Sequence, residues 1–514
     1  MNRGSRAALG GQAALIAALA VLLSGCELGP NFFSPAPPKT TRYTAAGERN
    51  LPPEGARSRA KKQHLAVGAK ITADWWTVFH SPALDRVMKR TLTDSPSIAE
   101  AQAALVGARE QVAVTAGGLL PQVDLSAGLA RQQFNAAPSG VHRIPVPVTV
   151  YSIGPTVSYP LDVFGGLKRG VEAKEAAADV SEYQLAAAYL SLTGNVAMQA
   201  ITIAAVRAEI KTVERIIADD EKNLGLVKTA QQAGTGNLVD VTSAQSQLAN
   251  DRTLLPPLRQ RLSVARHALS VYAGQSPAEW SPPDFDLAEL PLPHTLPVSL
   301  PSALVRQRPD ILAAEAQLHV ASANIGVATA NLYPNITLNA NVAQGATSLT
   351  NFFSGVYTGY GIGAALAAPI FHGGSLKAQQ RAAYAAFDQA FATYRQTVVQ
   401  AFGQVADSLQ ALVHDDEAVR SQAAAVAIAN QAVNLARLSF QEGNSTLLQV
   451  LDAERLSDQA QIGLVRARSQ RVLDTAQLFV ALGSGWWNTP PTLPPPPPAA
   501  QASAAPPPAA PAAH

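Results

Sequence analysis

Two stretches of this chain, residues 166–232 and 375–441, each run for 67 residues without a proline and with heavy use of alanine. At 1.5 Å per residue each amounts to about 100 Å of unbroken helix, longer than a globular core can bury. A helix of that length needs equally long neighbours, so the pattern predicts a coiled-coil-like assembly. Gly194 and Gly403 lie mid-stretch at the same register, where a missing side chain lets neighbouring backbones approach closely. Each stretch ends in a turn, Gly234-Thr235-Gly236-Asn237 or Gly443-Asn444-Ser445, and a return helix follows at about 238–273 or 447–482.

The two stretches belong to an internal duplication. Ser95-Pro96-Ser97-Ile98 and Arg308-Pro309-Asp310-Ile311 stand 213 positions apart, as do Leu120-Pro121-Gln122-Val123 and Tyr333-Pro334-Asn335-Ile336. Pro160 to Gly166 and Pro369 to Gly374 follow, and Gly194/Gly403 and Gly234–Val241/Gly443–Val450 keep an offset of 209. Landmarks recurring in order, with one four-residue loop difference, define a repeat of about 200 residues. The reading gives one copy within 71–300 and the second within 301–487.

Each copy opens with a helix of some 24 residues (about 95–118; 309–331), which together with the return helix matches the long helix in length. Two strands follow, at about 121–133 and 149–163 in the first copy and 334–344 and 356–369 in the second. Val123, Leu125, Ala127 and Leu129 alternate with Gln122, Asp124, Ser126 and Gly128; Tyr360, Ile362, Ala364 and Leu366 alternate with Gly359, Gly361, Gly363 and Ala365. Period-two alternation over this length fits membrane-barrel strands, apolar toward lipid and polar inward; an ordinary half-buried hairpin shows the same period. Four strands cannot close a barrel, and an open sheet in lipid leaves backbone groups unsatisfied, so the barrel must be shared among several chains.

The N-terminus reads as an export signal over 1–25. Arg3 and Arg6 precede a short apolar run, Ala13 to Leu23, and Leu23-Ser24-Gly25-Cys26 resembles the lipobox of bacterial lipoproteins. Cys26 is the only cysteine, so it makes no internal disulfide; acylation as the mature N-terminus gives it a role and adds a lipid anchor. Residues 26–70 read as an extended tether without sustained period. Residues 488–514, almost all Pro, Ala, Thr and Ser, read as a disordered tail.

A formal charge of +2 gives no electrostatic footprint for nucleic acid. Catalytic and cofactor motifs are absent from the sequence: no Walker lysine, no nucleophile elbow, and nine scattered histidines. Gly359-Tyr360-Gly361-Ile362-Gly363 is strand alternation rather than a phosphate loop. His414-Asp415-Asp416-Glu417 reads as a solvated polar turn of a helix rather than a metal site. The chain is therefore expected not to be an enzyme.

The lipobox followed by Leu28-Gly29-Pro30, the Asp74-Trp75-Trp76 motif with Phe79, and the two strand–strand–long-helix–turn–helix copies resemble the outer-membrane factors. These are the TolC-like family, here its lipoprotein branch serving resistance–nodulation–division pumps. The resemblance implies a mainly α fold with a membrane β-barrel. A homotrimer would form a 12-stranded outer-membrane barrel on a periplasmic helical tunnel, where the strand count alone also admits a dimer of eight. It further implies a passive efflux channel that works with a periplasmic adaptor and an inner-membrane transporter. A type I protein-secretion outlet and a periplasmic adaptor lipoprotein are the alternatives; an adaptor should show one hairpin rather than two copies with lipid-facing strands.

Leu448 and Asp452, four apart on one helix face, resemble the apolar and acidic gate positions of the family's periplasmic entrance. Thr446 and Gln449 read as a capping box, which leaves Asp452 unexplained by capping. Asp240 falls at the third position of its helix behind Asn237, so it reads as support for the helix dipole and as a second gate acid. Gly234 and Gly443 suit the turns themselves. With Leu238 and Leu447 they also form the expected adaptor-contact tips.

Overall fold

The computed structural model describes residues 27–44, 63–69, 71–133, 147–353 and 358–486. Cys26, the signal segment 1–25 and the tail 488–514 lie outside the described residues. In chain order the elements are β1 (His64–Val67), α1 (Pro82–Asp94), α2 (Pro96–Gly117), β2 (Gln122–Gln132), β3 (Val148–Leu161), α3 (Gly166–Gln232), α4 (Leu238–Arg252) and α5 (Leu255–Tyr272). β4 (Thr295–Val298), α6 (Pro309–Ala330), β5 (Asn335–Ala346), β6 (Thr358–Ala367), α7 (Ser375–Gln441) and α8 (Leu447–Ala481) complete the second half. The fold is mostly helical. It divides into two units: one of Met1–Pro35, Ala104–Glu182 and Ala313–Arg395, the other of Ala36–Ala103, Tyr183–Leu312 and Gln396–His514.

The first unit holds an antiparallel sheet in the order β2-β3-β5-β6. Its register aligns the apolar positions across all four strands: Val123 pairs with Val157, Val157 with Ala340, and Ala340 with Ile362. Val123, Leu125, Leu129, Ile362 and Leu366 are exposed, an apolar face left uncovered by the described residues. β2 and β6 are paired on one side only, so both edges of the sheet are open. The turn into α3 uses Gly165 at φ 72°, and Asp162 accepts from the N–H groups of Leu167 and Lys168 at 3.0 and 2.8 Å. The second copy has Phe371 where the first has Asp162. It turns on Gly373 and Gly374 instead, both with positive φ.

The segment read as an extended tether is extended over 27–35 and is docked. Buried Arg169 of α3 donates to the Leu28 carbonyl and to Asn31 Oδ1 and pairs with Glu172. Glu172 also meets His319 at 2.9 Å, and Phe32 stacks on the His319 ring with centroids 4.4 Å apart. An arm with no sequence period is thus held by side-chain chemistry, which periodicity cannot reveal.

The second unit carries the densest core. Trp75, in a short 3₁₀ turn with Trp76 and Phe79, is fully buried, stacks on Phe479 at 5.4 Å and donates to Thr193 Oγ1. β1 pairs in parallel with β4, again from the segment read as tether. α3 contains one window apolar enough to cross a bilayer, but 61% of that window is buried within the protein. The first return helix differs from expectation. It breaks at Thr253-Leu254, because Pro256 and Pro257 remove the amide donors that α5 would need to continue α4. Its counterpart α8 is continuous over 35 residues.

The two mid-helix glycines are not equivalent. A Cβ on Gly194 would lie 2.8 Å from Val480 Cγ2, whereas one on Gly403 meets no other described residue within 4 Å. Gly194→Val should therefore cost about 1–3 kcal/mol through overpacking, read as a lowered midpoint in thermal denaturation. Adding Val480→Ala should recover much of it; an unchanged midpoint in the single variant would show that the wall has slack there.

Candidate functional site: the paired helical tips

Both long helices stop in the same way. At the end of α3, Gly234 at φ 76° directs its own N–H to Gln231 and that of Thr235 to the Ala230 carbonyl. At the end of α7, Gly443, also at φ 76°, directs its N–H to Phe440 and that of Asn444 to the Ser439 carbonyl. This is the Schellman ending, which closes orphan carbonyls and needs a left-handed residue, hence glycine. The return helices begin differently. Asn237 caps α4 by accepting from the Asp240 N–H at 2.8 Å. The capping box expected of Thr446 and Gln449 is not made: the Gln449 N–H donates to the Thr446 backbone carbonyl, and the Thr446 side chain caps nothing.

The two tips pack on each other through a cluster of Val227, Val241, Leu447, Val450 and Leu451. Leu447, expected among the adaptor-contact residues, is turned into this cluster and is buried. Leu238 is 68% exposed, and Gly234 and Gly443 sit in the open turns. Leu448 and Asp452 follow the opposite stripe of α8 and point outward, Leu448 58% exposed and the Asp452 carboxylate 61%. Arg455 lies 3.7 Å from that carboxylate, a solvated pair of little strength. Asp240 lines a cavity of about 660 Å³ between the tips, together with Leu226, Phe440, Arg437 and Glu454.

Above the cluster lies a polar junction that sequence reasoning missed. Glu454 is buried and accepts from Arg437 at 2.6 and 3.0 Å and from Asn223 at 2.8 Å, so one carboxylate joins α3, α7 and α8. A signal for it exists: Leu447, Val450, Leu451, Glu454 and Asp458 follow one helical stripe, which places two acids where apolar residues belong. The polar turn at His414–Glu417 also differs from its reading. His414 and Glu417 are exposed, but Asp416 is buried between Arg471 at 3.1 Å and Arg420 at 3.2 Å. Burial and a hydrogen bond with Asp474 push Asp415 up to about 7. Among the described residues no group of His, Cys, Asp and Glu could hold a metal ion.

The family model for outer membrane efflux proteins matches the chain twice, over residues 87–275 and 300–484. The pyoverdine export outer membrane protein OpmQ of Pseudomonas aeruginosa is 30% identical, across 84% of this chain and 92% of its own length. SilC of Salmonella typhimurium, described as a probable outer membrane lipoprotein, is 27% identical across 90% of this chain and 97% of its own. Among solved structures, the outer-membrane channel OprN superposes with a TM-score of 0.80 at 25% identity, covering 90% of this chain and 100% of that chain.

The junction makes a stability statement. Arg437 is half exposed and Glu454 nearly buried, so Arg437→Ala should cost about 1–2 kcal/mol, below the ~3–5 of a fully buried pair. Arg437→Lys should recover only part, since an ammonium cannot make both bonds. Denaturant unfolding of the purified protein checks this, and equal midpoints in all three proteins would mean the junction contributes nothing.

Proposed function

The chain belongs to the outer membrane efflux protein family, and from that membership we propose that it is the passive outer-membrane duct of a tripartite system exporting small molecules. The observation that carries the proposal is the sheet of the first unit. It combines an uncovered apolar face with two open edges, and the bilayer tolerates neither an unpaired edge nor a four-stranded barrel. β2 and β6 run in opposite directions, so β6 of one copy can continue antiparallel onto β2 of the next. Any whole number of copies then closes evenly. Three copies give the 12-stranded barrel that the family resemblance implies.

In this reading Cys26 carries the lipid that anchors the chain to the outer membrane, and the docked arm at 27–35 ties that anchor to α3. The paired tips face the periplasm, where an adaptor docks on the turns at Gly234, Leu238 and Gly443 and an inner-membrane resistance–nodulation–division transporter supplies the energy. Leu448 and Asp452 line the entrance, with Asp240 nearby. Around a threefold axis each forms a ring: the leucines exclude water and the carboxylates favour cations.

Heat-resistant oligomer bands and planar-bilayer conductance test the duct. A protein that stays monomeric in detergent and conducts nothing would overturn it. For the gate, Leu448→Ala should raise the conductance of the resting oligomer and Asp452→Ala should lower cation selectivity, with Arg455→Ala raising it by freeing the carboxylate. The pair Leu448→Ala/Asp452→Ala should open the pore more than either change alone. Parent-like conductance and reversal potential in all of these place the constriction elsewhere. For the anchor, mass spectrometry should find a diacylated Cys26 as the mature N-terminus; an unmodified terminus or cleavage at another position removes that assignment.

A further inference from the structure

Behind the Glu454 junction, three more carboxyl groups come together on three helices. Asp220 of α3 is 5% exposed, Asp251 of α4 is hydrogen-bonded to it, and Asp458 of α8 completes the group. Asp220 and Asp458 line a cavity of about 380 Å³ between the hairpins, and the Asp220 Oδ2 atom is buried without a hydrogen-bond partner. The cations nearby are engaged elsewhere. Arg437 is held by Glu454, Lys222 by Asp219, and Arg252 by Glu221. On the other side a second cavity, of about 680 Å³, is lined by Asp251 and Asp458 with Arg261, Arg455 and Arg466. There Arg466 is taken by buried Glu209, and Arg455 lies beside Asp452. Asp458 thus lines both cavities, with Asp220 on one side and Asp251 on the other. Among the described residues Lys222, Arg252, Arg437, Arg455 and Arg466 pair with other acids, while Arg261 lies on the exposed rim of the second cavity.

Three carboxylates in that geometry cannot all stay ionised, because burial and mutual repulsion both favour the neutral acid. We propose that Asp220, Asp251 and Asp458 form a proton-operated latch between the two hairpins. With a proton in the cluster, a neutral carboxyl donates to its neighbour and α3, α4 and α8 pack together. With the proton lost, like charges push the three helices apart just behind the tips. The proposal rests on the reading of the tips as a gate only for what the latch controls; the latch itself needs no pore.

The pH window follows from the same groups. Burial first, then the hydrogen bond and charge of Asp251 and the charges of Asp458 and Glu454, push Asp220 up to about 8. Burial, with Asp251, Glu454 and Asp219, pushes Asp458 up to about 7. Both lie above the ordinary carboxylate value of 3.8, so the packed state binds more protons than the open one in between. The latch is closed on the acid side and is lost as pH rises through about 7 to 8.

Hydrogen–deuterium exchange on the purified full-length oligomer tests it, compared at about pH 6 and about pH 9 after correction for the intrinsic exchange rate. Peptides covering 238–252 and 447–462 should lose protection by about tenfold at the higher pH, since these helices open only locally. Asp220→Asn, which mimics the neutral acid, should abolish that pH response. Asp458→Asn should reduce it and serves as the second variant if the first does not fold. Asp474→Asn, at the separate pair with Asp415, should leave it unchanged. Parent protection that does not change across this window overturns the latch, as does a response that survives in Asp220→Asn and Asp458→Asn. A parent midpoint near pH 4, where isolated carboxylates titrate, overturns it without any variant. A parent whose exchange responds while its conductance does not would remove the gate reading of the tips and leave the latch standing.

Discussion

A strand at the edge of a sheet presents a row of N–H and C=O groups that must find partners, and in hydrocarbon there is no water to supply them. β2 and β6 present such rows over 11 and 10 residues, beside a face whose valines, leucines and isoleucines are uncovered. This one deficit organises the rest of the molecule. In the proposed duct further copies of the chain meet it, and copies that share a barrel bring their helices around a common axis. The alanine-rich faces of α3 and α7 suit that closeness. Gly403, where an added Cβ would meet no other described residue within 4 Å while one on Gly194 would meet Val480, fits a position kept small for a neighbour.

Duplication supplies the strands two at a time, but the copies have diverged where chemistry enters. Asp162 caps the start of α3, and the matching Phe371 leaves α7 to glycine geometry. Asn237 caps α4, and the matching Thr446 caps nothing. The backbone devices, Schellman endings at Gly234 and Gly443, are shared by the copies to the same φ of 76°. Helix length and turn position are thus held by the backbone, while polar side chains were free to specialise.

That division explains how much of the fold is legible in the residues alone. Proline-free runs and period-two alternation report backbone constraints directly, so the long helices, the strands and the tip turns can be read from the chain. The break between α4 and α5 is equally visible in Pro256-Pro257, but the repeat argues for continuity and conceals it. The polar contacts are harder. Arg169 binding the Leu28 carbonyl and Arg437 binding Glu454 join residues 141 and 17 positions apart, and no local pattern encodes such pairings. The orientation of Leu447 cannot be read, because two leucines in succession do not say which faces the core; packing against Val227 and Val241 decides it. The acids at 454 and 458 carry a usable signal, since they interrupt an apolar stripe.

The unequal return helices bear on how the tips can move. A helix interrupted by prolines bends at lower cost than a continuous one, because the missing amide bonds have already been given up at the break. α8, unbroken over 35 residues, carries Leu448 and Asp452 outward and Glu454 and Asp458 inward on the same rod. Any force on the inward acids is therefore delivered to the outward pair within a few turns, with little lost to flexing. α4 lies across from it, ends at the proline break, and contributes Asp251 near that end. Repulsion in the acidic pocket thus acts between a stiff element and a hinged one. In the proposed latch the hinged hairpin yields first, while the stiff one holds Leu448 and Asp452 in place.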